Sequence, residues 1–64
     1  MKSYSSRELI KIIKADGWEL VRTEGSHHIF RHKTKKGIVT VPHPRNDLPI
    51  KTAKSILTQA GLSV

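Results

Sequence analysis

Cysteine is absent from these 64 residues, so neither disulfides nor thiolate metal sites hold the fold together, a composition that suits a reducing cytoplasm. Long apolar runs are missing as well. The longest are pairs such as Leu9-Ile10 and Ile12-Ile13, far short of the roughly 20 residues needed to cross a bilayer, and no signal peptide is visible. Acidic residues are scarce: 5 Asp and Glu stand against 12 Lys and Arg, for a net charge of +7. Each cation that meets a phosphate releases condensed counterions, so a surplus of this size favours nucleic acid as partner. An acidic protein also fits, and a charged surface that serves solubility alone is the remaining reading. Residues 1–64 are expected to form one domain, because so short a chain buries only about 60% of its unfolded surface and cannot divide that between two cores.

The shortage of acid is sharpest in the middle of the chain. Between Gly25 and Asn46 there is no Asp or Glu, yet this stretch holds all 4 histidines (His27, His28, His32 and His43) and 5 of the 12 basic residues. Proton carriers set among cations suit a polyanion that is held and cut. Among polyanions, RNA brings its own nucleophile, the 2′-hydroxyl.

The pattern of residues predicts the order helix, three strands, helix. Tyr4-Ser5-Ser6-Arg7-Glu8-Leu9 is a helix start in which Ser5 caps, Glu8 reaches back and Tyr4 packs on Leu9. That helix runs to about Ala15, with Leu9, Ile10, Ile12 and Ile13 as a broad apolar face and Gly17 as the left-handed stop. Strand patterns follow at about Glu19 to Thr23, His27 to His32 and Ile38 to Val41, separated by short turn segments that imply an antiparallel meander. Pro42-His43-Pro44 ends the sheet, since two backbone donors are missing there. Pro49 opens a second helix whose apolar face is Ile50, Ala53, Ile56, Leu57 and Ala60, closed by Gly61 with Leu62 folding back. The fold class is α+β, with a three-stranded antiparallel sheet and both helices packed on one face of it.

The period of two sorts the middle strand. Phe30, Val39 and Val41 are sent inward, Phe30 takes His28 and His32 with it, and His27, Ile29 and Arg31 are left on the opposite face. His27 follows the flexible Gly25-Ser26 turn and begins a rigid strand, so it is the candidate for catalysis or, failing that, for phosphate or base contact. His28 and His32 share a face where histidines tied to structural carbonyls are commoner than catalytic ones. His43, held extended and exposed between two prolines, serves either loop architecture or substrate contact. A shared zinc is disfavoured because His28 and His32 lie about 13 Å apart along a strand, whereas Zn–N bonds are near 2 Å; no metal site or cofactor is expected. Arg31, Lys35 and Lys36 near the second hairpin turn, with Lys33 beside them, are placed to grip phosphates without reading sequence. Trp18 reads as core, and Glu24 as a solvated turn residue or a second proton carrier.

Taken together, Asp16-Gly17-Trp18, Gly25-Ser26-His27-His28 with Phe30 and His32, Gly37 with Val39-Thr40-Val41-Pro42-His43-Pro44, Asp47-Leu48-Pro49 and Gln59-Ala60-Gly61-Leu62 stand in the order and spacing of a known family. The chain resembles the HicA-type toxins of HicA/HicB toxin–antitoxin pairs over nearly its whole length. The resemblance implies a fold like a double-stranded-RNA-binding domain, an endoribonuclease that cleaves mRNA and arrests growth, and a HicB-type antitoxin as partner; the reaction is expected to need no metal, since two proton transfers suffice, and to take place in the cytoplasm. The resemblance assigns the essential histidine to the one directly after Gly-Ser, which is His27, with Gly25 as its neighbouring motif residue; Gly25 and Ser26 are then expected to let the RNA backbone come close. The alternative is a module that binds RNA without cutting it. One departure is visible: Lys51 stands where many relatives have glycine, in the first turn of the second helix.

Overall fold

A computed structural model describes residues 3–62. The elements run α1 (Ser6–Ala15), β1 (Trp18–Glu24), β2 (His27–His32), β3 (Ile38–Pro42) and α2 (Ile50–Gln59), the expected α+β order. The capping box that opens α1 is made on both sides: Ser5 Oγ accepts from the Glu8 N–H at 3.1 Å, and Glu8 Oε1 accepts from the Ser5 N–H at 3.0 Å. Two N–H groups that the first turn would leave unpaired are thereby satisfied. The apolar stripe is narrower than expected. Leu9 and Ile13 are fully buried and Ile10 is half-buried, but Ile12 is 39% exposed. At 100° per residue Ile10 and Ile12 flank the Leu9–Ile13 axis by about 80° on opposite sides, and only the Ile10 side meets the core.

The three strands form an antiparallel sheet in the order β1-β2-β3. Trp18, Phe30, Val39 and Val41 leave one face of it and pack with Leu9 and Ile13 of α1, with Leu48, and with Ala53, Ile56 and Leu57 of α2. At α2 the N–H groups of Gly61 and Leu62 return to the carbonyls of Thr58 and Leu57 at 3.0 and 2.8 Å. Gly61 has the positive φ of 76° that this doubly bonded stop requires, and glycine takes that angle without a Cβ penalty. Lys51, the departure noted above, is exposed in the first turn of α2.

Among the described residues no helix lies on the other face of the sheet. The register places Glu19, Arg22, Glu24, His27, Ile29 and Arg31 there, since cross-strand partners share a face. Ile29 keeps the expected face, yet it is only 7% exposed. Its cover comes from Val21, Arg22, Arg31 and Ile38, which line a groove around it. The register also shows an irregularity invisible in the sequence. Pairing jumps from Leu20↔Phe30 to Arg22↔Ile29, so Val21 is the extra residue of a β-bulge, a device that re-aims side chains and is common beside active sites.

Candidate active site

Glu24 and His27 are direct cross-strand partners, so Gly25 and Ser26 make a two-residue hairpin loop. Gly25 has φ 59° at the first central position, where a II′ turn calls for glycine. A Cβ there would meet nothing within 4 Å, so glycine is needed for its dihedral angle and the approach to the turn stays open. His27 is exposed at the start of β2, on the helix-free face. From behind, the turn is fixed to the end of β3: the His43 N–H donates to the Ser26 carbonyl at 2.7 Å, and His27 lies opposite Pro42.

His43 and His28 support this turn. Their rings meet edge to face with centroids 4.7 Å apart, and His43 Nδ1 lies 2.6 Å from Ser6 Oγ. The Ser6 side chain is 1% exposed; its Oγ accepts from the Arg45 N–H at 2.9 Å and is 3.2 Å from the Arg45 carbonyl. His43 is therefore half-buried, where an exposed residue was expected, because its ring turns in toward α1. This ties it to architecture. The His43–Pro44 peptide is cis.

His32 behaves as a histidine on the inward face should. Its Nδ1 accepts from the backbone N–H groups of Thr34 and Lys35 at 3.0 and 3.2 Å, which leaves the proton on Nε2 to donate to the Asp16 carbonyl at 2.7 Å. The ring also meets Trp18 edge-on at 5.3 Å. Trp18 is buried as expected, and its indole N–H donates to the Ala60 carbonyl at 3.3 Å.

The basic residues expected to grip phosphates all lie toward the end of the sheet away from His27. Arg31 is exposed on the face of His27, about 13 Å away by strand rise. Lys36 is exposed in the distant hairpin. Lys35 is engaged: its Nζ lies 2.5 Å from Asp16 Oδ2 and 3.0 Å from the Ala60 carbonyl, so a phosphate there would compete with two partners. The Lys35 ammonium holds the Asp16 carboxyl below the usual carboxylate range, chiefly through that hydrogen bond.

Sequence reasoning missed the charge that β1 brings across. The segment without acids is not without acids in space, because Glu19 pairs with Arg31 and Glu24 with His27. Glu24 in turn holds Arg22, whose Nε lies 2.7 Å from its Oε2. A hairpin register drawn at a two-residue Gly-Ser loop would have found the Glu24–His27 pair. Nothing in the sequence signalled the partnership of Ser6 with His43.

A family model described as "HicA toxin of bacterial toxin-antitoxin" matches residues 6–62, which includes every residue of the site. The chain belongs to the HicA toxin family. A solved structure, the "Toxin-Antitoxin complex from Streptococcus pneumoniae", is similar with a TM-score of 0.75 and 29% identity, over 91% of this chain and 97% of that one. No curated protein sequence matches the chain. For a HicA-family member, the exposed histidine after Gly25-Ser26 is the one to which the resemblance assigned the essential role. Among the described residues no helix is long and apolar enough to cross a membrane.

Proposed function

We propose that this HicA-family chain is a cytoplasmic endoribonuclease that cleaves mRNA and arrests growth, with His27 as its general acid/base. The 2′-oxygen of a ribose attacks the adjacent phosphorus as His27 takes its proton, the bond from phosphorus to the 5′-oxygen breaks, and that oxygen leaves with a proton. The first product ends in a 2′,3′-cyclic phosphate. His27 serves both transfers in turn, or water or Glu24 supplies the second. Gly25 and Ser26 admit the strand, and Arg31 and Lys36 steady its phosphates, with Lys35 contributing only if it leaves Asp16. The mechanism uses no metal.

The observation that carries this reading is the exposure of His27 on the helix-free face, at a turn anchored by the His43–Ser26 bond. A neutral imidazole has one nitrogen that accepts a proton and one that donates, so a single exposed ring can serve both transfers. A HicB-type antitoxin is the proposed partner, and it would silence the toxin by covering His27 with an acidic surface that also meets the lysine hairpin.

The test is digestion of RNA by wild type and His27→Ala in EDTA. Short fragments ending in cyclic phosphate or 3′-phosphate are expected from wild type only, with both proteins folded by circular dichroism. A fully active alanine variant overturns the assignment. Intact RNA that merely shifts on a gel with wild type would instead support a non-catalytic RNA-binding module.

A further inference from the structure

The helix-free face carries a second feature beside His27. Val21 and Ile38 are 54% and 51% exposed, and with Ile29 as floor they line a groove of about 330 Å³ whose other walls are Arg22 and Arg31. The bulge at Val21 is what brings Val21 and Arg22 to the same groove, since regular alternation would send neighbours to opposite faces. Arg22 is held in place by Glu24. Along β2 the groove floor lies two residues from His27, about 7 Å by strand rise.

We propose that this groove receives an unpaired nucleobase of single-stranded RNA, next to the phosphate presented to His27; the inference rests on the nuclease reading above. A base has two apolar faces and a polar edge. Aliphatic side chains below and guanidinium planes beside it match that chemistry, since bases splayed from a single strand stack on aromatic rings and on arginine planes. The groove walls contribute two arginines and no carboxylate, which suits a ligand whose linkers are phosphates. Glu19 and Glu24 sit across from Arg31 and His27 and partly offset the cations, so this face is better fitted to grip a base than to hold a bare polyanion. A duplex keeps its bases stacked and out of reach, so the preferred substrate is single-stranded.

The test uses the full chain and two strands of equal length and phosphate number: a 2′-O-methylated hexanucleotide, which binds but lacks the nucleophile, and its abasic counterpart. Anisotropy should show the base-bearing strand binding wild type roughly tenfold more tightly, the scale of a lost stack. Val21→Ser/Ile38→Ser should erase that advantage and leave abasic binding unchanged. Because both positions are exposed the variant is expected to fold, which a thermal melt checks. Arg31→Lys, which keeps charge and loses the plane, should give a smaller loss in the same direction. Equal binding of the two strands by wild type overturns the inference, as does equal loss of both strands in the variants. If wild type still digests unmodified RNA in that case, the nuclease reading stands and the groove alone falls; if RNA is neither cut nor bound, both fall. Should the Val21 and Ile38 methyl resonances ignore RNA and shift only with an acidic antitoxin, the occupant is a protein and the inference is wrong.

Discussion

At one end of β2 His27 stands exposed over a two-residue turn, and at the other His32 is closed in by Trp18, Asp16 and its own hairpin. The two residues are about 17 Å apart by strand rise, and they lie on opposite faces. His32 has both ring nitrogens committed to backbone groups, so neither is left to face a substrate. The turns differ in the same way. Gly25 borders open space, whereas a Cβ on Gly17 would lie 2.7 Å from His32 Nε2. What separates the exposed histidine from the structural one here is strand parity together with the hydrogen bonds available on each face.

Exchanging alanine for each histidine should break the comparison most sharply. His27→Ala is expected to lower RNA cleavage by roughly 10²–10⁴-fold, the usual share of one acid/base group, while the melting temperature changes little because the side chain is exposed. His32→Ala should do the reverse: a loss of about 2–4 kcal/mol of stability from unpaired backbone groups and lost packing, with cleavage per folded molecule retained. Paired digestion and melting measurements check both. If His32→Ala stayed folded and lost cleavage, the division of roles would be wrong.

The two glycines sharpen the contrast at smaller scale. Gly17→Ala meets both a φ of 109° and the His32 ring, so a loss of about 2–3 kcal/mol is expected, the upper part of the range for a strained backbone site. Gly25→Ala carries only the strain of a left-handed angle, about 1 kcal/mol, and any larger effect there should be on cleavage. Denaturant melts of the two variants should rank Gly17→Ala as the less stable.

Much of this was legible in the sequence because local signals agreed. Ser5 and Glu8, Gly17, Gly61 and the alternation through Phe30, Val39 and Val41 each mark a boundary or a face on their own. The choice of His27 over His28 and His32 drew on the Gly25-Ser26 turn, the strand start and parity, and the register agrees with the parity. What escaped depended on contacts between distant segments. Lys35 read as a free cation because nothing local shows that Asp16 and the end of α2 converge on it. His43 read as exposed because its partner Ser6 lies 37 residues away. The bulge at Val21 escaped too, since an apolar residue beside an arginine fits a regular strand equally well.

Acid should loosen the His32 end first. The Asp16 carboxyl is held below its ordinary range by Lys35, so its contribution to stability is fully present above the unfolded carboxylate pKa of about 3.9 and is lost as pH falls through the lower folded value. Melts of wild type and Asp16→Asn between neutral and strongly acid pH should show the wild type losing its advantage across that window. If the gap between them stays constant with pH, the Lys35–Asp16 pair contributes nothing through ionisation.

The smallest effect separates two adjacent lysines in that hairpin. Lys36 is exposed and free to meet a phosphate; Lys35 is bonded to Asp16 and to the Ala60 carbonyl. A lysine that neutralises one phosphate of a single strand adds about 0.7 to the slope of log affinity against log salt. Lys36→Ala should therefore lower that slope by about this amount with no change in melting temperature. Lys35→Ala should lower the melting temperature, because the end of α2 loses a cation beside its last carbonyls, and should leave the slope nearly unchanged. The opposite assignment of slope and stability would mean that Lys35 leaves Asp16 when RNA binds, and that the hairpin seen closed in the free protein opens to hold substrate.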